Sequence, residues 1–177
     1  MISRISSFAG PISYNPVSSL AAGLYRTTYS GYFADVPSFF ATATPTANLV
    51  QTTVIEEPIS EDGNSFSIQW LGYFVPTTTE AYTFFLNSDD ASFMWIGANA
   101  VSGFTTANAT VNNAGLHGPV ETSGSVSLIA NTSYPIRIQY GENGGGDVMT
   151  FNHSTATIGK TTNVTGKVFY NVVTKGF

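Results

Sequence analysis

The feature that most constrains this chain is a missing period. Along its 177 residues no segment sustains apolar side chains every three to four positions, as a helix packed on a core requires. What recurs instead are short runs in which apolar and polar residues alternate, the pattern of a half-buried strand. "GLYRTTYSGYF" from Gly23, "SFSIQWLGYFV" (65–75), "AYTFFLNS" (81–88), "SFMWIG" (92–97), "SVSLIA" (125–130), "SYPIRIQYG" (133–141), "DVMTFNH" (147–153) and "GKVFYNVV" (166–173) are such runs. Gly, Pro, Asn and Asp punctuate the gaps between them. A series of strands of this kind closes into a β-sandwich or a barrel, so the expectation is a single all-β domain over residues 23–177. Within 65–75, Phe66, Ile68 and Trp70 share one face, and Gly72 is a natural place for a bulge. Trp70, Phe84 and Trp95 read as core. Residues 34–53, interrupted by Pro37 and Pro45, read as a loop with short extended pieces, and 98–124 carries only weak strand signals. Residues 1–22, rich in Ser, Pro and Ala without period, read as an arm or linker.

Charge narrows the list of partners. Only 10% of residues are charged, against roughly 25% in an average soluble domain. The net charge is −5, with six Lys and Arg together. So few cations leave little with which to neutralise phosphates, which disfavours nucleic acid and anionic membranes. Cations and neutral molecules fit better. The chain has no Cys, which removes thiol catalysis, thiolate metal sites and disulfides together. No window approaches the roughly 18 consecutive apolar residues of a spanning helix. Pro11 and Pro16 break the N-terminal stretch before any apolar run of signal-peptide length, so no cleaved signal is expected. On that expectation the sequons at Asn108, Asn131, Asn152 and Asn163 read as chance in an Asn- and Thr-rich chain.

Catalytic patterns are absent from the sequence. His117 and His153 are its two histidines, and they have no metal-ligand spacing. No nucleophile elbow stands among the many serines. Glu56, Glu57, Glu61 and Asp62 cluster in a turn-like acidic segment that reads as solvated. The expectation is a protein that is not an enzyme.

One pair of residues breaks the strand logic. Asp89 and Asp90 stand side by side in "LNSDDASFMWIG" (86–97), between two apolar runs. Neighbouring side chains of a strand point to opposite faces, so these carboxylates act together only if the backbone turns between them. The order of residues around the pair is specific. Gly23-Leu24-Tyr25 is followed by Phe66-x-Ile68-x-Trp70-x-Gly72-Tyr73, then Pro76, Tyr82-Thr83-Phe84 and Ser88-Asp89-Asp90-x-Ser92-x-Met94-Trp95-Ile96-Gly97. Tyr134-x-Ile136-Arg137-Ile138-x-Tyr140-x-Glu142-Asn143-Gly144-Gly145 closes the series. This resembles the protective-antigen domain family, found in a bacterial toxin component, in glycosidases and in yeast flocculins and adhesins, over about residues 23–153.

The resemblance implies an antiparallel β-sandwich of the protective-antigen domain type. In sugar-binding members of that family, two adjacent aspartates joined by a cis peptide bond chelate one Ca²⁺ at the rim. An Asn and two backbone carbonyls from a neighbouring loop complete the shell, and vicinal hydroxyls of a glycan take the open positions. Carried onto this chain, the metal ligands are Asp89, Asp90 and Asn143. The loop "GENGGGD" (141–147) supplies the remaining oxygens, with Gly144 and Gly145 letting carbonyls turn inward. Glu142 is a less favoured alternative to Asn143, and Asp147 is an extra carboxylate. Phe104 is the aromatic residue expected to touch a ligand. Two roles follow. One is a calcium-dependent, lectin-like adhesion domain. The other is a purely structural virion protein, such as a capsid decoration, minor capsid, tail or fibre component. In the second role residues 1–22 and the C-terminal "VFYNVVTKGF" would dock on other subunits of an assembly. A chain that begins with Met1 and shows no export signal fits a virion better than a cell surface, so the expected location is a virion or extracellular surface.

Overall fold

The computed structural model describes residues 19–56 and 65–177. Among them, eleven strands run in the order β1 (Leu20–Ala22), β2 (Leu24–Ser30), β3 (Pro45–Gln51), β4 (Phe66–Phe74), β5 (Glu80–Asp89), β6 (Ser92–Ile96), β7 (Val111–Asn113), β8 (Val120–Leu128), β9 (Tyr134–Glu142), β10 (Val148–Ser154) and β11 (Val168–Asn171). The larger sheet follows the order β1-β11-β4-β9-β6-β7, with β2 also on β4 and β3 outside β2. The smaller sheet is β10-β5-β8. Every pairing is antiparallel. The architecture is all-β, as the alternating runs foretold, and of the two arrangements they allow it is the sandwich that the family resemblance implied.

The core between the sheets explains the alternation. Phe66, Ile68, Trp70 and Phe74 of β4 and Ile136, Ile138 and Tyr140 of β9 meet Tyr82, Phe84 and Leu86 of β5 and Met149 and Phe151 of β10. Each large side chain taken out of water here contributes about 1.5–3 kcal/mol. A second apolar cluster lies on the outer face of the larger sheet, where Tyr29, Phe33, Phe40, Phe93, Trp95 and Ala100 pack together. Thus Trp95 is core, as expected, but of a different cluster from Trp70 and Phe84. Strand β6 is buried on both faces: Met94 points between the sheets, while Phe93 and Trp95 point outward. Outside them lie a 3-10 turn at Pro37–Ala41 and the short helix α1 (Ala98–Val101). Beneath this cover Arg137 Nε donates to the Ala100 carbonyl at 2.9 Å and Gln139 Nε2 to Gln69 Oε1 at 3.0 Å, while Gln139 Oε1 is buried without a hydrogen-bond partner.

Several expectations change. Gly72 is no bulge, because the β4–β9 register runs unbroken from Phe66 opposite Glu142 to Phe74 opposite Tyr134. A Cβ at Gly72 would lie 2.3 Å from the Phe169 carbonyl oxygen. Glycine is there so that β11 can approach β4 where β2 leaves it. The register shift falls between Thr28 and Tyr29, in the β2–β3 pairing. The stretch 34–53 contains a full strand, β3, which tolerates Pro45 because it opens an edge strand. Leu20–Ala22, assigned to the arm, pair with β11, a long-range contact that local composition does not encode. Residues 1–18 lie outside the described residues, as do Glu57, Glu61 and Asp62 of the acidic segment. Glu56 bridges to Thr150. The C-terminal run pairs with β1 and β4 of its own sandwich.

Candidate functional site

The turn demanded by Asp89 and Asp90 has a topological cause. Strand β5 ends at Asp89 in the smaller sheet, and β6 begins at Ser92 in the larger one. The acidic pair therefore sits where the chain crosses between sheets, and strand alternation stops applying. The Asp89–Asp90 peptide bond is cis. A second crossing runs alongside: β9 ends at Glu142 in the larger sheet, and β10 begins at Val148 in the smaller. Register ties the two together, with Val148 opposite Asp89 and Ser92 opposite Tyr140. Two sheet-crossing connections thus lie side by side at one rim of the sandwich, and each carries carboxylates.

Asp90 is 5% exposed. Its Oδ1 accepts the backbone N–H of His117 at 2.8 Å, and its Oδ2 accepts that of Asn143 at 3.0 Å. One carboxylate thereby ties down loops from two other parts of the chain. Below the pair, the Tyr140 hydroxyl donates to the Asp89 carbonyl, the Ser88 and Ser92 hydroxyls lie 2.7 Å apart, and Asn113 Nδ2 donates to Ser88 Oγ at 2.9 Å. This buried polar floor holds the crossing in place.

Glu142 is the surprise. It is 2% exposed, and one of its carboxylate oxygens lies with one each from Asp89 and Asp90 in a group within 4.8 Å of one another. Oε1 accepts the Gly144 N–H, whereas Oε2 is buried with no hydrogen-bond partner. Burial pushes the Glu142 carboxyl above its usual range, reinforced by Asp90, Asp89 and Asp147 and opposed by the Gly144 N–H. Asp89 is raised for the same first reason, burial, with Asp90 beside it. Three acids share one pocket and one buried oxygen lacks a donor. Such a donor set fits a hard divalent cation, which takes six to eight oxygens including carboxylates and backbone carbonyls.

The site residues named from sequence fall into two groups. Asp89, Asp90, Asn143, Gly144 and Gly145 converge on the rim, but Asn143 contributes a backbone N–H to Asp90 while its side chain is exposed. Gly146 passes so close that a Cβ there would lie 3.9 Å from Asp89 Oδ2. Phe104 lies elsewhere, half-buried against Trp95 and over the Arg137 guanidinium. Sequence reasoning missed the part played by His117, whose backbone N–H rather than its ring serves the site. It also missed Asp35, whose carboxyl burial pushes above its usual range, with Gly115, His117 and Tyr32 pulling it down and Asp90 pushing it up, and whose Oδ1 is buried without a hydrogen-bond partner. Only the Gly and Pro around "AGLHGP" (114–119) hint at such a loop.

The sandwich, with its paired sheet crossings and acidic rim, places the protein in the protective-antigen (PA14) fold class. Residues 66–155 match the GLEYA domain, and the chain belongs to that family. Among solved structures, it is similar to an anti-sigma factor domain-containing protein from Clostridium clariflavum (18% identity, TM-score 0.66, covering 84% of this chain and 47% of that one). It is also similar to the Epithelial Adhesin 6 A domain from Candida glabrata in complex with Galβ1-3GlcNAc (16%, TM-score 0.68, 86% and 88%). A third similar structure is the PA14 sugar-binding domain from an RTX adhesin (14%, TM-score 0.60, 80% and 94%). The chain spans about half the length of the anti-sigma factor domain-containing proteins it matches, 49% and 47%. No curated protein matches it. Among the described residues no helix is long and apolar enough to cross a membrane.

Proposed function

We propose that this protein is a non-enzymatic, lectin-like module that binds glycan through a calcium ion held at the rim. The observation that carries the reading is the buried, unpartnered Oε2 of Glu142 beside the Asp89 and Asp90 carboxylates. Carboxylates crowded out of water repel one another unless protons or a cation intervene. Asp89, Asp90 and Glu142 would hold the cation, with the Asn143 side chain and carbonyls of Gly144 and Gly145 within the same loop. A cation bound there supplies neutralising charge and open coordination positions for two hydroxyls of a sugar. Asp90, pinned by the N–H groups of His117 and Asn143, keeps both bordering loops in register for that ligand. The solved adhesin domains of the same fold, one bound to a galactoside, support this reading, as does the low-charge surface. Display on a virion or other extracellular surface is part of the proposal.

The structural alternative is favoured by one feature. Among the described residues β3 pairs with β2 alone, and Leu49 and Val50 on it are 40% and 37% exposed. An exposed edge of that kind is a place for a further subunit to add.

The test is a thermal unfolding series in Ca²⁺ and in chelator, with a glycan array run in both buffers. Calcium-dependent stabilisation together with calcium-dependent glycan binding supports the lectin. An unfolding midpoint indifferent to Ca²⁺ removes the mechanism and leaves the structural role.

A further inference from the structure

The rim loop contains the one Asn-Gly pair of the chain, Asn143-Gly144. The chemistry of such a pair is particular. Attack of the following residue's backbone nitrogen on the Asn Cγ closes a five-membered imide and expels ammonia. A side chain on that following residue obstructs the closure, and glycine has none. Gly145 and Gly146 come next, leaving the loop free to bring the two atoms together. A Cβ at Gly145 would meet no atom of the described residues within 4 Å, so the loop has open space on that side.

The fold leaves the amide loose and holds the nucleophile. The Asn143 side chain is exposed, and among the described residues no hydrogen bond restrains its amide. Other amides are tied down: Asn108 Nδ2 donates to the Gly103 carbonyl, Asn112 Nδ2 to the Thr106 carbonyl and Asn113 Nδ2 to the Val120 carbonyl, each at 2.9 Å. The backbone of the pair is pinned by two carboxylates. Asp90 Oδ2 accepts the Asn143 N–H at 3.0 Å, and Glu142 Oε1 accepts the Gly144 N–H at 2.5 Å. The second contact carries the argument. The Gly144 nitrogen attacks only as it gives up its proton, and an acceptor already stands within hydrogen-bond reach. Glu142, the last residue of β9 and paired with Phe66, is 2% exposed, so the sheet holds that acceptor away from water.

We propose that Asn143-Gly144 is a self-modification site at which the fold, through Glu142, promotes deamidation of Asn143. The bond between the Gly144 nitrogen and Asn143 Cγ forms as the Cγ–Nδ2 bond breaks. The Gly144 proton passes along its hydrogen bond to Glu142 and on to Nδ2, which departs as ammonia. Water then opens the imide at either carbonyl, leaving aspartate or isoaspartate at 143. One water is consumed and one ammonia released, with no oxidant or reductant. Either product adds a carboxylate to the rim that carries those of Asp89, Asp90 and Glu142. The modification needs no bound cation and is independent of the lectin reading.

The experiment follows the purified full chain at neutral pH in chelator, sampled over weeks by peptide mass mapping. Cleavage after Arg137 and Lys160 gives one peptide, 138–160, that holds both Asn143 and Asn152. Asn152, followed by His153, is the internal reference. The expected result is conversion of Asn143 about tenfold or more faster than Asn152, slowed about tenfold or more in Glu142→Gln, whose amide oxygen still accepts the N–H but relays no proton. The variant is first checked for a wild-type unfolding midpoint. Wild type in urea, where the contact between Glu142 and Gly144 is lost, gives a second reading and is expected to slow likewise. No excess of Asn143 over Asn152 overturns the proposal. An excess that both Glu142→Gln and urea leave unchanged also overturns it, because the rate is then that of any exposed Asn-Gly pair.

Discussion

Glu142 and His153 are each fully withdrawn from water, yet they call for opposite readings. Glu142 has one unpartnered oxygen at a rim shared with two other carboxylates, and Asp89 keeps that rim partly open to solvent. His153 has two unpartnered ring nitrogens in the middle of the sandwich, with Tyr82 and Phe151 stacked at 6.3 and 6.5 Å and the edge of Phe74 at 5.8 Å. Among the described residues no carboxylate acts on it; Lys167 adds a positive charge nearby, and the Thr161 carbonyl leans the other way. A lone polar atom among apolar rings stays neutral. Clustered polar atoms of one sign at an opening await a counter-charge. The lesson is that an unsatisfied buried group points to a ligand only through its neighbours.

The sharpest way to break the comparison is acid. Burial holds the His153 imidazole down to about 4 from an ordinary 6.5. Between those values the unfolded chain binds a proton that the folded one does not, so stability falls as pH is lowered. Relative to pH 7, about 3 kcal/mol is lost by pH 4. His153→Phe removes that loss, as read by urea unfolding across the range. A wild-type acid limb that survives in the variant would assign it to other groups.

Next in size is metal removal. At a hundredfold excess over Kd, Ca²⁺ stabilises the folded state by about 2.7 kcal/mol, a rise of roughly 5–11 °C for a chain of this length. Chelator reverses it and Asp90→Ala abolishes it. Should Asp90→Ala respond to Ca²⁺ as wild type does, the ion binds somewhere else.

Glu142→Gln separates charge from shape. The amide oxygen still accepts the Gly144 N–H, so stability in chelator is held or slightly raised, while calcium affinity falls about tenfold, or 1.4 kcal/mol. Isothermal titration checks both arms, and unchanged affinity would remove Glu142 from the shell. The smallest effect is assigned to the surface pair of Lys160 and Glu121, 42% and 38% exposed. Lys160→Ala changes stability by less than about 0.5 kcal/mol in the same denaturation assay, which sets the scale against which the buried groups count.

Much of this could be read from the residues in order. Phe66, Ile68, Trp70 and Phe74 announce a strand because alternation is a local property, and Asp89-Asp90 announces a site because it violates that property. Gly72 was misread because a glycine required by a passing strand looks the same in sequence as one that makes a bulge. Strand β3 was hidden by Pro45 and by exposure along its length, which leaves no apolar face to detect. That His153, which sequence spacing excludes only as a metal ligand, is buried inside the sandwich depends on rings contributed by β4, β5 and β10.

The sequence by itself determined the all-β class, the main core strands and the acidic pair, since each is written in neighbours a few positions apart. Tertiary structure alone decided that Glu142 joins that pair, that a backbone N–H of His117 steadies Asp90, and that residues 35–38 and 103–106 form one groove. Those relations join residues 27 to about 70 positions apart, and which distant segments meet is set by the order of strands in two sheets. Composition and spacing do not carry that order, because the packing of whole faces selects it.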